Sequence, residues 1–229
     1  MKRSTLFSLL TCLVLIPGTL FLGTRMTGRW YYLTCTLVII ETMLPFFFTF
    51  ETRKPQAREL VTIAVMCALS VAARVVVVIP NFKPTTAVIM LTGIALGPEA
   101  GFMTGAISAF ASNFFFSQGP WTPWQMMAYG FGGFLAGVLF HKRFPVRNPI
   151  ALAVFGFVTI LGVVGPLLDC CTVFTVSSRI TWKYALAVFA AGLPVNFQHA
   201  LACGATMLIF GKPLLTKLER LKTKYGMLT

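Results

Sequence analysis

Long apolar runs broken by short segments rich in Lys, Arg, Pro and Gly dominate this 229-residue chain. Runs of about 20 apolar residues, at a helical rise of about 1.5 Å each, match the hydrocarbon thickness of a bilayer, so the pattern predicts transmembrane helices. Punctuation sets their limits, because Pro favours the first helical position and charges collect where a chain leaves the bilayer. Eight helices are predicted, at roughly Leu6–Leu22, Trp30–Phe50, Glu59–Ile79, Thr85–Leu96, Glu99–Phe116, Pro123–Phe140, Pro149–Val173 and Lys183–Phe210. Pro84, Pro98, Pro123 and Pro149 stand at or just before helix starts, with Thr122 and Asn148 placed as N-caps. The fourth helix is short for a full span.

Composition agrees with the pattern. The chain is 57% hydrophobic and 11% charged, with a mean hydropathy of +0.81, outside the range of soluble domains. The fold class is an all-α integral membrane protein. Its basic start followed by an apolar run resembles a signal peptide, but the run is long and no small-x-small cleavage site follows, so a retained helix is expected. Cys12, Cys35, Cys67, Cys170, Cys171 and Cys203 lie in or at the ends of apolar helices without paired metal-ligand spacing, and are expected to pack as small apolar groups.

Lys and Arg accumulate in cytoplasmic loops. Alternation starting inside places Lys2, Arg3, Arg53, Lys54, Arg58, Lys142, Arg143, Arg147 and the five Lys and Arg residues from Lys212 to Lys224 in the cytoplasm. It leaves Arg25, Arg29, Lys83, Arg179 and Lys183 outside and Arg74 in the membrane. A multi-pass cell-membrane protein with both termini cytoplasmic is expected. The net charge of +13 then follows from topology and attraction to anionic headgroups, and no nucleic-acid partner is expected.

The sequence contains no phosphate-binding Gly-x-x-x-x-Gly-Lys-Ser/Thr loop, no His-Glu-x-x-His and no Gly-x-Ser-x-Gly, so enzyme chemistry has no local signature. No catalytic residues, cofactor or metal site are expected. Polar groups inside a bilayer are costly, which makes their placement informative. Arg74 would lie roughly 9 Å below Pro80. Asn113 and Gln125 fall near the outer ends of their helices, and Asp169 near the outer end of the seventh. Asn196, Gln198 and His199 reach about mid-membrane, after Pro194 has freed a backbone carbonyl.

These groups gather below three outer loops, Pro80–Pro84, Ser117–Thr122 and Ser177–Trp182. The segment "SNFFFSQGPWTPWQ" is therefore expected to form the rim of an outward-facing pocket. Trp121 and Trp124 would offer apolar faces, Gln118 and Gln125 amide hydrogen bonds, and the helix after them a positive dipole end. Tryptophans here would also serve as an aromatic belt at the outer interface. The expected site residues are Asn81, Lys83, Asn113, Gln118, Trp121, Trp124 and Gln125, joined by Arg74, Asn196 and His199.

On the third helix Ala64, Ala68 and Ala72 fall at four-residue spacing, a stripe that lets another helix approach closely and a candidate partner surface. Gly101 with Gly105, and Gly133 with Gly137, repeat the device and are expected to serve packing within the chain.

The alanine stripe, "NFKP", "GPEAGF" and "SQGPWTPWQ" together resemble the substrate-binding S components of energy-coupling factor (ECF) vitamin transporters. The resemblance covers about Glu59 to Phe140 well and the last two helices more loosely. It implies a six-helix core (residues 59–211) that captures a vitamin from outside. It also implies docking through the alanine face onto a transmembrane coupling protein, the T component, which is bound to two ATPase subunits. Two extra N-terminal helices (1–50), the basic linker "ETRKPQAR" (51–58) and a basic tail (212–229) would be additions to that core. The "GPWTPW" loop most resembles S components assigned to cobalamin or related corrinoids, with pantothenate or a queuosine precursor as other substrates. A self-sufficient ion-coupled transporter using Arg74, Asp169, Glu41 and His199 is the alternative of a different class.

Overall fold

The computed structural model describes residues 3–24, 30–77, 79–143, 148–176 and 180–226. Lys2, Arg25, Arg29, Arg147 and Arg179, which enter the charge alternation, and the first part of the third outer loop lie outside the described residues. Those described form eight helical rods and no strand, which bears out the all-α expectation. α1 runs through Arg3–Leu10, a π-helical turn Thr11–Leu15, and Ile16–Thr24; α2 is Trp30–Thr52, α3 Ala57–Val76, and α4 Thr85–Leu96. α5 is Pro98–Phe116 and α6 Thr122–Phe140. α7 comprises Pro149–Thr159, a second π-helical turn Ile160–Val164, and Gly165–Val176, and α8 is Trp182–Tyr225. Segments Leu6–Gly23, Tyr32–Thr52, Ala57–Val76, Pro149–Val176 and Trp182–Tyr225 are each long and apolar enough to cross a bilayer.

The short α4 is the centre of the bundle. All of its residues from Thr85 to Leu96 are buried, with α3, α5, α6 and α8 packed around it. At about 18 Å it is shorter than the hydrocarbon thickness of a bilayer, and it is apolar because it is enclosed by the other helices. Its C-terminal carbonyls would be orphaned at the end of the rod. Lys222 Nζ donates to Ala95 O at 2.8 Å, and His141 Nδ1 lies 3.0 Å from Ile94 O. Gly97 then turns the chain at φ +103°, a conformation open to glycine, and Pro98 starts α5.

The glycine pairs pack α5 against α6, as expected. A Cβ on Gly133 would strike the carbonyl of Gly101, one on Gly105 the backbone of Tyr129 and Gly130, and one on Gly137 the backbone of Pro98. Gly93 of α4 meets Gly133 in the same way, so three backbones converge. The N-terminal hairpin is held through α2. Phe46 stacks on Phe102 with centroids 4.1 Å apart and meets Phe134 edge-on at 5.0 Å. α1 rests on α2 through Phe7–Phe48 stacking at 4.3 Å and a hydrogen bond from Thr19 Oγ1 to Glu41 Oε1 at 2.5 Å.

Several boundaries differ from expectation. α8 continues past Phe210 to Tyr225, carrying Pro194 and Pro213 inside it. Pro213 frees one carbonyl without ending the helix, because Leu215 and Leu218 beyond it are buried and Lys222 reaches Ala95. Asn148 caps α7 as expected, accepting from Ile150 N at 2.9 Å and Ala151 N at 3.3 Å. Thr122 is not an N-cap: it is the first residue of α6, and its hydroxyl is spent in the network described below.

Candidate functional site

The C-terminal ends of α3 and α5 and the N-terminal end of α6 meet around one amide. Arg74 Nη1 donates to Asn113 Oδ1 at 3.0 Å and also to Ser112 Oγ. Asn113 Nδ2 donates in turn to Thr122 Oγ1 at 3.0 Å and Gln125 Oε1 at 2.9 Å. Thr122 Oγ1 donates to Gln118 Oε1 at 2.9 Å and accepts from Gly119 N at 3.2 Å. Gln118 Nε2 closes the turn on Phe110 O at 2.9 Å. Asn113 is 1% exposed with both ends of its amide engaged, so it braces the rim from behind.

Arg74 lies over the ring of Phe116 at 4.8 Å and near that of Tyr129 at 5.9 Å, while Lys83 Nζ stands 5.9 Å from the Phe116 centroid. Lys83 also donates to Val77 O, the carbonyl at the C-cap of α3. Asn81, half-buried at φ +55°, makes the turn that returns Lys83 toward the bundle.

A narrow cleft opens beside this cluster, lined by Lys83, Thr85 and Thr86 from one side, Tyr129 from α6, and Asn196 and His199 from α8. Ile160, Val164, Gly165 and Leu168 of α7 complete it. Its free volume of about 10 Å³ holds roughly one water. The α7 wall contains the second π-helical turn. Pro166 lacks the N–H that would bond one turn back, and such widened turns recur at functional sites. Asn196 Nδ2 donates to Asp169 Oδ2 at 2.8 Å, tying α8 to α7 at the cleft.

The structure thus brings Arg74, Asn113, Gln118 and Gln125 into one hydrogen-bonded cluster, with Lys83 beside it at the Phe116 ring and facing Asn196 and His199 in the cleft. Trp121, 39% exposed, donates from Nε1 to Ser117 O at 3.3 Å at the rim. Trp124 is buried against Phe174, centroids 5.8 Å apart. Gln198 is exposed on the outside of α8, away from the cleft lining. Tyr129, Thr85 and Thr86 were missed by sequence reasoning. Their signal was weak: a tyrosine inside the Gly-rich "MMAYGFGG" run and two threonines opening a helix after "NFKP".

Ala64, Ala68 and Ala72 are all exposed on α3. Ala68 and Ala72 line a shallow apolar groove shared with Ala111 and Phe115 of α5. Among the described residues no cluster of His, Cys, Asp and Glu could hold a metal.

No curated protein and no solved structure matches the chain. Residues 54–220, from the basic linker through most of α8, match the family described as ECF-type riboflavin transporter, S component, and the chain belongs to that family.

Proposed function

We propose that this substrate-binding subunit captures riboflavin, or a closely related flavin, at the cleft between α4, α6, α7 and α8 and delivers it to an ATP-driven uptake complex. The observation that carries the reading is the cleft itself, a set of hydrogen-bonding groups beside aromatic rings inside an otherwise apolar bundle. A flavin presents a planar ring edged with carbonyls and a polyhydroxylated tail. Tyr129 and Phe116 offer ring faces, Arg74 and Lys83 donors for carbonyl oxygens, and Asn196, His199 and Thr85 partners for hydroxyls. Neither Arg74 nor Lys83 is in a salt bridge among the described residues, which leaves their charge available to electron-rich ligand atoms. At about 10 Å³ the cleft must widen for a flavin to enter, since sites for such molecules need roughly 300 Å³ or more.

The corrinoid expectation rested on the "GPWTPW" loop. The family match gives it no support, and the loop's Gln118 amide and Thr122 hydroxyl are already engaged within the protein, on Phe110 O and Asn113. A corrinoid is several times larger than a flavin and would need a far greater opening. Titration of the purified subunit with riboflavin, followed by quenching of flavin fluorescence, tests the proposal. Saturable binding of riboflavin and none of cobalamin is expected; a folded preparation that binds no flavin overturns it.

The partners of this S component are a T component and its ATPases. We propose that the exposed Ala64–Ala68–Ala72 stripe is the surface on which the T component docks, because small side chains permit the closest helix approach. The proposed orientation keeps both termini cytoplasmic and the "SQGPWTPW" loop outside.

A further inference from the structure

A second cavity lies on the outside of the bundle, apart from the cleft, and the substrate reading does not use it. α3 and α8 both pack on α4 yet make little contact with one another. The gap between them is a groove of about 500 Å³. Val88 and Leu91 of α4, both buried, form its floor. Leu69 and Ala73 form one wall, and Ala205 and Ile209 begin the other.

The chemistry of this groove is that of a hydrocarbon binder. Apart from Lys217, Thr206 supplies the only polar side chain in its lining, and that hydroxyl is spent on Ala202 O at 2.7 Å. A polar ligand would find nothing to bond. From Ala205 to Lys217 the groove follows α8 for about 18 Å, a little more than half of the roughly 30 Å hydrocarbon thickness. An apolar lining of that length accommodates an acyl chain laid along α8.

One end of the groove is charged. Lys217 is exposed on its wall. Beyond it Arg58 closes α3 onto the end of α8, with Nη1 donating to Tyr225 O at 3.2 Å and the guanidinium 5.5 Å from the Tyr225 ring. Basic groups beside an apolar inter-helix pocket suit an anionic headgroup. We infer that the α3–α8 groove is a binding site for one anionic phospholipid, its acyl chain on Val88 and Leu91 and its headgroup at Lys217.

Native mass spectrometry of the full chain released from nanodiscs of mixed phosphatidylglycerol and phosphatidylcholine tests the site. One phosphatidylglycerol should be retained in preference to phosphatidylcholine. Ala205→Phe, which fills the groove, should remove the retained lipid. Lys217→Gln, at an exposed position that does not threaten the fold, should cut the preference for the anionic lipid about fivefold, the value of one lysine at a membrane surface. Equal retention of both lipids by the unaltered chain, or a preference untouched by Lys217→Gln, overturns the inference. So does efficient crosslinking of a cysteine at position 209 to the T component in the assembled transporter. Riboflavin titration of the same preparations separates this outcome from any failure of the substrate proposal.

Discussion

Arg74 and Asn113, 39 positions apart, meet at 3.0 Å where the ends of α3, α5 and α6 converge, and each accounts for the other's presence there. The guanidinium needs acceptors away from water, and Asn113 supplies one while its own amide donors hold Thr122 and Gln125.

Asn113→Ala should therefore act twice. It leaves a half-buried guanidinium short of an acceptor and lets the rim loosen, costing about 1–3 kcal/mol. Riboflavin affinity and the melting temperature of the detergent-solubilised protein should both fall. In a double-mutant cycle with Arg74→Gln the combined loss should be less than the sum, by about 0.5–3 kcal/mol as for residues in one network. Strict additivity would show that the contact does not couple the two residues.

The proposed orientation, with this network on the outer side, gives a topological expectation. In a cysteine-depleted background, a cysteine at Gln118, exposed in the loop, should react with an impermeant maleimide in intact cells. One at Lys142, exposed at the opposite end of α6, should react only after permeabilisation. The reverse pattern would invert the proposed orientation.

Much of this architecture was legible because depth and periodicity are written in residue types. The helix limits followed from Pro and charge positions, and Asn113, Arg74 and Gln125 drew notice as polar groups near one membrane depth. What failed to show depended on tertiary partners. Nothing local says that α8 survives Pro213, since the burial of Leu215 and Leu218 and the Lys222–Ala95 bond are long-range. The same holds for Thr122, a sound N-cap by type, whose hydroxyl is claimed by Gln118 and Asn113. The α7 bulge had a sequence trace in "GVVGP", but only packing places it on a cleft.

If the alanine stripe is the docking face, bulk there should separate capture from transport. Ala68 is exposed, so Ala68→Trp leaves the interior unstrained. Riboflavin binding by the isolated subunit should stay within about twofold, whereas uptake by cells and copurification of the T component should be lost. Full uptake by this variant would remove the stripe from the interface.

The convergence of Gly93, Gly101 and Gly133 predicts a sharper stability effect than composition alone implies. A Cβ at Gly133 meets the backbone of Gly101 and the Ile89 side chain, and backbone cannot rotate away as a side chain can. Gly133→Ala should push α4, α5 and α6 apart and cost about 1–3 kcal/mol, the range for overpacking a tight core. Thr85 and Thr86 open α4 and Tyr129 sits one turn earlier on α6, all in the cleft, so separation at Gly133 should also weaken riboflavin binding. Gly18→Ala is the control, because nothing lies within 4 Å of a Cβ there. Heating both variants in detergent and measuring the surviving monodisperse fraction by size-exclusion chromatography should show a clear drop for Gly133→Ala and little change for Gly18→Ala. Equal melting of the two would mean that the three helices have slack to absorb a methyl group, contrary to the contacts at Gly133.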